Sequence, residues 1–263
     1  MSFTFFDLES GPDAARCQQW LEIKSPAPEF KPMPAFDPKS VKIGNLKDKE
    51  KIAAKVDAAK IEHAKAKKGE HAAYEDMLVQ RQLDAFAKGA LEPRTAILKT
   101  FQFAQDDDKP EIWDGDGDEK ALLKEIWKMF RAGSTWVNWT GMSDRANWDM
   151  NMLFRRSLAH NLYVPEDVYP TPQGYASSRI LDLTPRFLAF EKWPAKAKLE
   201  HACIEFGIPL RYDGPVNGAT FHEYWDGCRD CGFDKEQQRF EAEQYAVGDV
   251  YMLRDLFRIL YWA

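Results

Sequence analysis

The chain has 263 residues, 44% of them hydrophobic and 13% aromatic, and a formal net charge of −6. This composition supports a packed core and excludes a disordered chain, and the negative charge argues against a protein that grips nucleic acid with its whole surface. No segment approaches the roughly 18 apolar residues that a membrane span needs, and nothing resembles a targeting peptide. Four scattered cysteines argue against a disulfide framework, so we expect a cytoplasmic protein without a membrane partner.

The first predicted element is a short buried strand. The sequence Phe3-Thr-Phe-Phe-Asp-Leu-Glu9 is an apolar run that ends in acidic residues, and Gly11 and Pro12 then predict a turn. Asp7 and Glu9 are two residues apart, so their side chains project from the same face of a strand. Paired carboxylates at the end of a buried strand are candidates for a metal site.

A long insertion follows this strand. Residues 25–40 contain five prolines, which prevent a regular helix or sheet ladder, so an extended linker is expected. From Asn45 to Lys88 the chain is rich in Ala, Lys and Glu, which predicts a long helix. Its thin apolar face consists of Ile52, Val56, Ile61 and Ala64. We therefore describe residues 25–92 as a proline-rich linker plus a helical insertion within one domain that spans residues 1–263.

The Lys42–Lys68 portion of the insertion is predominantly basic. A solvated helical face is one interpretation of this charge run. An arm that faces nucleic acid or a protein partner is the other, and both remain open at the level of the sequence.

The rest of the chain alternates predicted strands and helices. Residues 95–104 and 111–113 predict a hairpin, and Asp118 predicts the N-cap of a helix over residues 119–131. Further strands are predicted at residues 135–139 and 178–182, and further helices at residues 148–157, 196–206 and 236–262. Strands interleaved with helices predict the α/β class, with a mixed β-sheet flanked by helices.

Three acidic motifs, taken in order, resemble those of the DEDD-type exonucleases of the proofreading family. Phe6-Asp-Leu-Glu-Ser10 looks like the first motif. Trp139-Thr-Gly-Met-Ser143, followed by Asn147-Trp-Asp149, is similar to the second, and Tyr245-Ala-Val-Gly-Asp249 is similar to the third. Each motif alone is weak evidence, because short acidic pairs are common. Gln244 is not the histidine of the family's other branch, which favours the tyrosine branch.

The resemblance implies a ribonuclease-H-like fold and a 3′–5′ exonuclease that hydrolyses nucleic acid from its 3′ end by a two-metal mechanism. It implies that two Mg²⁺ or Mn²⁺ ions are held by four carboxylates, those of Asp7, Glu9, Asp149 and Asp249. Tyr245 is implied to position the attacking water. The expected substrate is single-stranded DNA, and a separate DNA polymerase is a possible partner. A catalytically silent nucleic-acid-binding or interaction subunit that retains the fold is the alternative.

The same resemblance places substrate contacts around the metal ligands. These predicted contacts are Leu8, Ser10, Ser143, Asn147, Trp148 and Arg155. Trp148 stands where the family usually has Phe or Tyr, and Ser143 stands where Asn is expected unless Asn147 replaces it. Arg155 and Arg156 follow Asp149 on the predicted helix and present guanidinium groups that suit phosphate, with surface solvation as the other interpretation.

Two other metal sites are weighed against this one. Cys228 and Cys231, with His222 nearby, form half of a tetrahedral zinc site, but the other half is missing, which favours two loop thiols. An acidic series matches part of a calcium loop, although Glu119 stands where that loop needs glycine. The series comprises Asp114, Asp116, Asp118 and Glu125, and a hairpin end followed by a helix cap explains it more simply.

Aromatic residues flank the second motif. Trp136, Trp139 and Trp148 are candidates for stacking on the bases of a single strand. Tryptophans beside buried strands more often belong to the core, and Trp148 is the best stacking candidate of the three.

Overall fold

The computed structural model describes residues 2–44, 47–115, 117–140, 148–168, 170–171, 174–175, 179–188 and 197–262. The chain divides into two compact units, one made of Met1–Cys17 with Phe86–Ala263 and the other of Gln18–Ala85. The larger unit carries the β-sheet, and the smaller unit includes residues 25–85 of the insertion. Among the described residues, no helix is both long enough and apolar enough to cross a membrane.

In the described part of the chain, the larger unit contains a five-stranded mixed sheet. Its strands are β1 (Phe3–Pro12), β2 (Ala96–Gln105), β3 (Glu111–Asp114), β4 (Thr135–Asn138) and β7 (Ile180–Asp182). Two shorter strands, β5 (Pro170–Thr171) and β6 (Gly174–Tyr175), pair with each other. The order of the large sheet is β3-β2-β1-β4-β7. β2 is antiparallel to both of its neighbours, whereas β4 is parallel to β1 and to β7.

The described helices follow the predicted order with additions. They are α1 (Ala14–Lys24), α2 (Lys49–Gly89), α3 (Glu119–Arg131), α4 (Trp148–Ala159), α5 (Thr184–Phe187), α6 (Leu199–Glu205), α7 (Phe221–Trp225) and α8 (Lys235–Trp262). Short 3₁₀ turns occur at Pro38–Ser40 and Glu166–Val168. The α/β class, the mixed sheet flanked by helices and the helical insertion after the first strand are confirmed.

Alternation along β1 directs successive side chains to two apolar layers. Phe6 and Leu8 belong to the layer that contains Trp127 of α3 and Leu153 of α4. Phe5 belongs to the opposite layer, where its ring lies 5.3 Å from that of Phe257 on α8. Burial of each large apolar side chain contributes roughly 1.5–3 kcal/mol. These contacts fix α8 across the face of β1 that also carries Asp7 and Glu9.

The predicted turn at Gly11 and Pro12 is wrong, because β1 continues through both residues. Gly11 pairs with Ile97, and Pro12 pairs with Ala96, after a register irregularity between Glu9 and Ser10. A Cβ atom at Gly11 would lie 2.8 Å from Lys99 Cε, so glycine here permits close packing. Since β4 pairs with β1 only at Phe3–Phe5, the missing N–H of Pro12 breaks no bond to β4.

In the smaller unit, residues 26–37 of the proline-rich segment form neither helix nor strand, and the segment packs along α2. The Tyr74 hydroxyl donates to the Pro28 carbonyl oxygen at 2.8 Å, and the Met33 amide donates to Glu70 Oε2 at 2.6 Å. The Phe36 ring lies 5.5 Å from that of His63. The segment and the helix therefore run in opposite directions.

The four apolar residues predicted for one face of this helix divide into two pairs. Ile52 and Val56 are half-buried, whereas Ile61 and Ala64 are exposed. The predicted single stripe is therefore wrong. The side of the helix that packs against the proline-rich segment is only one part of its surface.

Candidate functional site

Three carboxylates converge where α8 crosses β1. One carboxylate oxygen from each of Asp7, Glu9 and Asp249 lies within 4.8 Å of the others. β1 presents Asp7 and Glu9 on the face that packs against α8, and Asp249 lies two turns before Phe257 on that helix. The packing of Phe5 on Phe257 therefore aligns two elements that are distant in sequence and brings the first and third acidic motifs together.

Asp149, the fourth predicted ligand, lies in the first turn of α4 and is buried. Its Oδ2 accepts a 2.6 Å hydrogen bond from Asn138 Nδ2 at the end of β4. It stands outside the close group of three, although its pKa is raised first by burial and then by the negative charge of Asp7. Three of the predicted ligands thus lie close together, and the fourth is near enough for the charge of Asp7 to change its pKa.

Simultaneous ionisation of all four carboxylates is strongly unfavourable. Burial raises the pKa of Asp7 from 3.8 to about 6, although hydrogen bonds from Gln102 and the Leu8 backbone oppose this rise. Burial is also the largest cause that raises the pKa values of Glu9, Asp149 and Asp249 well above their ordinary range, followed in each case by the charge of Asp7. A nearby cation would offset this repulsion.

The donor set fits a hard divalent cation. Asp7, Glu9 and Asp249 offer carboxylate oxygens, which Mg²⁺ and Mn²⁺ prefer to nitrogen or sulfur ligands. Their convergence in a buried cluster supplies negative charge that only a cation or protons can neutralise. In the described part of the chain, no other group of three or more acidic, histidine or cysteine side chains comes together in this way.

Two buried amides hold the carboxylates, and neither belongs to the three acidic motifs of the sequence. Gln102 is the cross-strand partner of Asp7 and donates to Asp7 Oδ2 at 2.7 Å. Its own oxygen accepts a 3.1 Å hydrogen bond from Thr100. Asn138 holds Asp149 in the same way. A polar residue within an otherwise apolar strand, as at Gln102 between Phe101 and Phe103, is the signal that could have revealed them.

Tyr245 lies one turn before Asp249 on α8, and its hydroxyl group lowers the pKa of Asp249 against the larger, opposite effect of burial. Its ring contacts those of Tyr212 and Phe221, with centroid distances of 5.7 and 6.3 Å. Burial, followed by the charges of Glu9 and Asp249, raises the pKa of Tyr245. The phenol therefore remains protonated at neutral pH and acts as a hydrogen-bond donor.

A cleft of about 840 Å³ opens beside the carboxylates. Asp7, Tyr245 and Asp249 line this cleft. A Cβ atom at Gly218 would lie 3.8 Å from the Tyr245 hydroxyl oxygen. Other polar or aromatic lining residues are Trp139, Thr140, Lys198, Glu200, His201 and Asn217. The cleft thus combines the carboxylates with nearby hydrogen-bonding and cationic groups.

Leu8 and Ser10, two of the predicted substrate contacts, have side chains in the interior. Each residue is only 4% exposed. The Ser10 hydroxyl donates to the Ala90 carbonyl oxygen, and Leu8 packs in the layer of α3 and α4. Neither side chain faces the cleft, so their role as substrate contacts stays a prediction.

The other predicted contacts cluster around α4. Ser143 and Asn147 lie outside the described residues. Trp148 is half-buried, and its indole nitrogen donates to the Leu91 carbonyl oxygen at 3.0 Å. Arg155 is exposed, and its Nε donates to Asn151 Oδ1 at 2.8 Å. Contact of any of these four residues with substrate stays a prediction.

Burial decides between the alternatives for two further residues. Trp136 is fully buried, which supports the core interpretation that the sequence favoured over base stacking, whereas Trp139 lines the cleft. Arg156 is also buried, and it pairs with Glu119. It is therefore a structural residue, and the solvated or phosphate-facing interpretation is wrong for this arginine.

The described residues support the simpler explanations of the two other metal patterns. Cys228, Cys231 and His222 form no group of three metal ligands. Asp114 pairs with Arg239, and Asp118 caps α3 by accepting from the Ala121 amide. Glu125 pairs with Lys128, and Asp116 lies outside the described residues.

Comparison with known proteins identifies one similar structure by name. No protein-family model matches the chain, and neither does any curated protein. Among solved structures, the family B DNA polymerase from the hyperthermophilic archaeon Pyrobaculum calidifontis is similar, with a TM-score of 0.49 and 15% sequence identity. The similarity covers 66% of this chain and 23% of the polymerase chain, so this protein spans less than two thirds of its structural neighbour.

Proposed function

We propose that the protein is a divalent-metal-dependent 3′–5′ exonuclease that hydrolyses phosphodiester bonds in single-stranded DNA. The observation that carries this proposal is the convergence of Asp7, Glu9 and Asp249 within 4.8 Å, beside an open cleft that Asp7, Tyr245 and Asp249 line. Burial raises the pKa values of all four carboxylates, and the charge of Asp7 further raises those of the other three, so the cluster destabilises the fold unless cations or protons neutralise it. Bound metal ions would neutralise these carboxylates, which would explain why they lie so close together.

Asp7, Glu9, Asp149 and Asp249 would hold two Mg²⁺ or Mn²⁺ ions. Bound ions of this type lower the pKa of a water molecule and offset the negative charge that develops during phosphodiester cleavage. Gln102 and Asn138 donate to Asp7 and Asp149, which fixes the orientation of two carboxylates. This pre-orientation lowers the entropic cost of assembling the site.

Tyr245 would position the attacking water. Its phenol is protonated at neutral pH, so it can donate a hydrogen bond but cannot act as the base. The adjacent Asn217–Ala219 loop lines the same cleft and leaves space above the hydroxyl group. A water molecule or a substrate oxygen can therefore approach Tyr245 from the cleft.

The direction of digestion follows from the resemblance of the three acidic motifs to the tyrosine branch of the DEDD-type exonucleases. For a proofreading role, a DNA polymerase is the partner that we propose. Co-purification from the native host would test that partnership separately from the activity.

The decisive experiment compares the wild-type protein with Asp7→Asn and Asp249→Asn on 5′-labelled single-stranded DNA. With Mg²⁺ or Mn²⁺, the wild type should produce a ladder of progressively shorter labelled fragments, as expected for removal of nucleotides from the 3′ end. Each variant should lose at least about 1,000-fold in rate, because it removes a shared ligand. A chelator should stop the wild-type reaction.

Glu243→Gln is the matched control. Glu243 lies on α8, as Asp249 does, but pairs with Arg239. Its replacement should leave the activity within about twofold of the wild type, because exposed ion pairs contribute little. Equal activity of all variants would contradict the proposed site. DNA binding without turnover in the wild type would instead favour the silent binding subunit.

A further inference from the structure

The smaller unit leaves one face of α2 exposed, and this face carries three large apolar side chains. Ile61, Val79 and Leu83 are 61%, 55% and 57% exposed. At about 100° per residue, these three positions fall within a sector of about 40° on the helix surface. They therefore form one stripe along the helix.

The proline-rich segment covers a different side of α2. Tyr74 bonds Pro28, and Glu70 accepts from Met33, so the helix positions in contact with that segment include 70 and 74. By the same angular rule, these positions lie roughly opposite the exposed stripe. One face of the helix is therefore packed within the unit, and the apolar stripe is not.

The centre of the stripe carries charges in a specific order. Lys65 and Lys68 come first, Ala72 follows, and Asp76 comes before Val79. All of these side chains except that of Val79 are small or charged, and every one is exposed. The stripe is thus basic on one side of Ala72 and acidic on the other.

This order makes the stripe complementary to itself in the antiparallel direction. With Ala72 on a two-fold axis, Lys68, four residues before it, faces Asp76, four residues after it, in the second copy. Ile61 and Leu83 lie eleven residues on either side of Ala72 and face each other as well. Every such contact occurs twice, as in an isologous interface.

The remaining positions fit the same arrangement. Lys65 faces Val79, which the aliphatic stem of lysine can cover while its ammonium group stays in water. Ala72 is small and allows close approach of two helices, whose axes pack about 8–10 Å apart. A parallel pair would instead place Lys65 and Lys68 beside their own copies, and like charges repel.

We propose that α2 pairs with α2 of a second copy of this chain, antiparallel and centred on Ala72. The span from Ile61 to Leu83 is about 33 Å at 1.5 Å per residue. A contact of this size lies at the small end of specific interfaces, so dissociation in the micromolar range is expected.

Cross-linking at the axis is the sharpest test. In the full-length chain with Cys228→Ser and Cys231→Ser, which removes the exposed and half-exposed thiols, Ala72→Cys should form a disulfide-linked dimer under mild oxidation. Only a residue on the two-fold axis meets its own copy within the roughly 4.4–6.8 Å between Cα atoms that a disulfide requires. Ala64→Cys is the matched control, since its two copies would be about 24 Å apart along the helix.

Charge reversal tests the register. Lys68→Glu should weaken dimerisation at least tenfold in sedimentation equilibrium, and Lys68→Glu combined with Asp76→Lys should restore it. Lys55→Glu makes the same charge change off the stripe and should have little effect. Leu83→Glu should give a monomer whose metal-dependent nuclease activity is unchanged, which separates this proposal from the proposed function.

Three outcomes would overturn the pairing. They are a wild-type protein that remains monomeric at about 100 µM, equal cross-linking of Ala72→Cys and Ala64→Cys, and failure of the double charge reversal to restore the dimer. If the wild type is monomeric and Lys68→Glu weakens binding of DNA instead, the basic arm faces nucleic acid and the stripe has a different occupant.

Discussion

Gln102 and Asp7 face each other across β2 and β1, and the amide of Gln102 donates a 2.7 Å hydrogen bond to Asp7 Oδ2. Because Thr100 donates to the oxygen of Gln102, the orientation of this amide is also fixed. The pair connects sheet register with the chemistry of the site. A shift of one residue between these strands would turn Gln102 away from Asp7.

Replacement of Gln102 by methionine should lower the affinity for Mn²⁺ by about tenfold, the lower end of the effect expected when a partner of a metal ligand is lost. Methionine fills a similar volume but cannot donate to Asp7. Isothermal titration calorimetry at pH 7.5 measures the change directly, and thermal unfolding verifies that the variant is folded.

Gln105→Met is the control for this substitution, because Gln105 lies at the exposed end of the same strand. It should bind Mn²⁺ like the wild type. Unchanged affinity of folded Gln102→Met would mean that Asp7 is oriented without the amide, or that it binds no metal.

Local sequence patterns predicted the helices and strands around the site better than they predicted the residues that donate hydrogen bonds to its carboxylates. The helix from Glu119 to Arg131 and its Asp118 cap have the predicted bounds, because the cap and the apolar spacing are both encoded within that segment. Gly11 and Pro12 predicted a turn, yet pairing with β2 extends the strand through them. Partners that are distant in sequence override local turn propensity.

Contacts between residues that are distant in sequence also determine the packing of the insertion and the position of the amides of the site. Packing of the proline-rich segment on α2 depends on side chains 29–46 residues away, which periodicity within either segment does not reveal. The role of Gln102 as a hydrogen-bond donor to Asp7 can be inferred only when the register between β1 and β2 is known. The acidic motifs were recognisable because each is a short, continuous pattern, whereas their buried hydrogen-bond donors are not.

Metal-free protein should lose stability as the pH rises from about 4 to about 6. The folded-state pKa of Asp7 is raised from 3.8 to about 6, so the folded chain binds more protons than the unfolded chain between these values. The free energy of unfolding therefore falls across this window and remains lower above it. Thermal unfolding in the presence of a chelator, at intervals from pH 4 to pH 8, measures this loss.

Asp7→Asn isolates the contribution of that carboxylate. At pH 8 without metal, it should unfold roughly 3–6 °C higher than the wild type, which corresponds to about 1.5 kcal/mol for a domain of this size. Added Mn²⁺ should raise the melting temperature of the wild type and have little effect on the variant. A wild-type protein that is less stable than Asp7→Asn both with and without Mn²⁺ would argue against a metal site.

Tyr245→Phe should preserve metal binding but lower kcat by about 10–100-fold. The substitution removes a hydroxyl group that lies in the cleft lining one turn from Asp249, whereas the carboxylates remain. Positioning of a reacting group typically contributes in this range or above it. Single-turnover degradation of labelled DNA reports the rate, and calorimetry with Mn²⁺ reports the affinity.

Tyr251→Phe removes the same hydroxyl group from a residue six positions later on α8 that does not line the cleft. It should retain the wild-type rate. A rate for Tyr245→Phe within twofold of this control would exclude a positioning role for Tyr245, even if the acidic variants are inactive.

The Glu119–Arg156 pair should be a main determinant of stability in the larger unit. Glu119 accepts hydrogen bonds from the Leu98 amide at 2.7 Å, from Arg156 Nε at 2.7 Å and from His160 Nε2 at 2.6 Å. These contacts join β2, α3 and α4. Glu119→Ala should lower the free energy of unfolding by about 3–5 kcal/mol, because it leaves the buried guanidinium of Arg156 without its counter-charge.

Two comparisons distinguish a buried ion pair from a general effect on α3. Glu125→Ala removes an exposed partner of Lys128 on the same helix and should change the free energy of unfolding by less than about 1 kcal/mol. Glu119→Met combined with Arg156→Met should be less destabilising than Glu119→Ala alone, since neither charge then remains buried. Urea unfolding followed by tryptophan fluorescence gives all three values. A double variant that is less stable than Glu119→Ala would show that the hydrogen bonds of this network outweigh the cost of burying its charges.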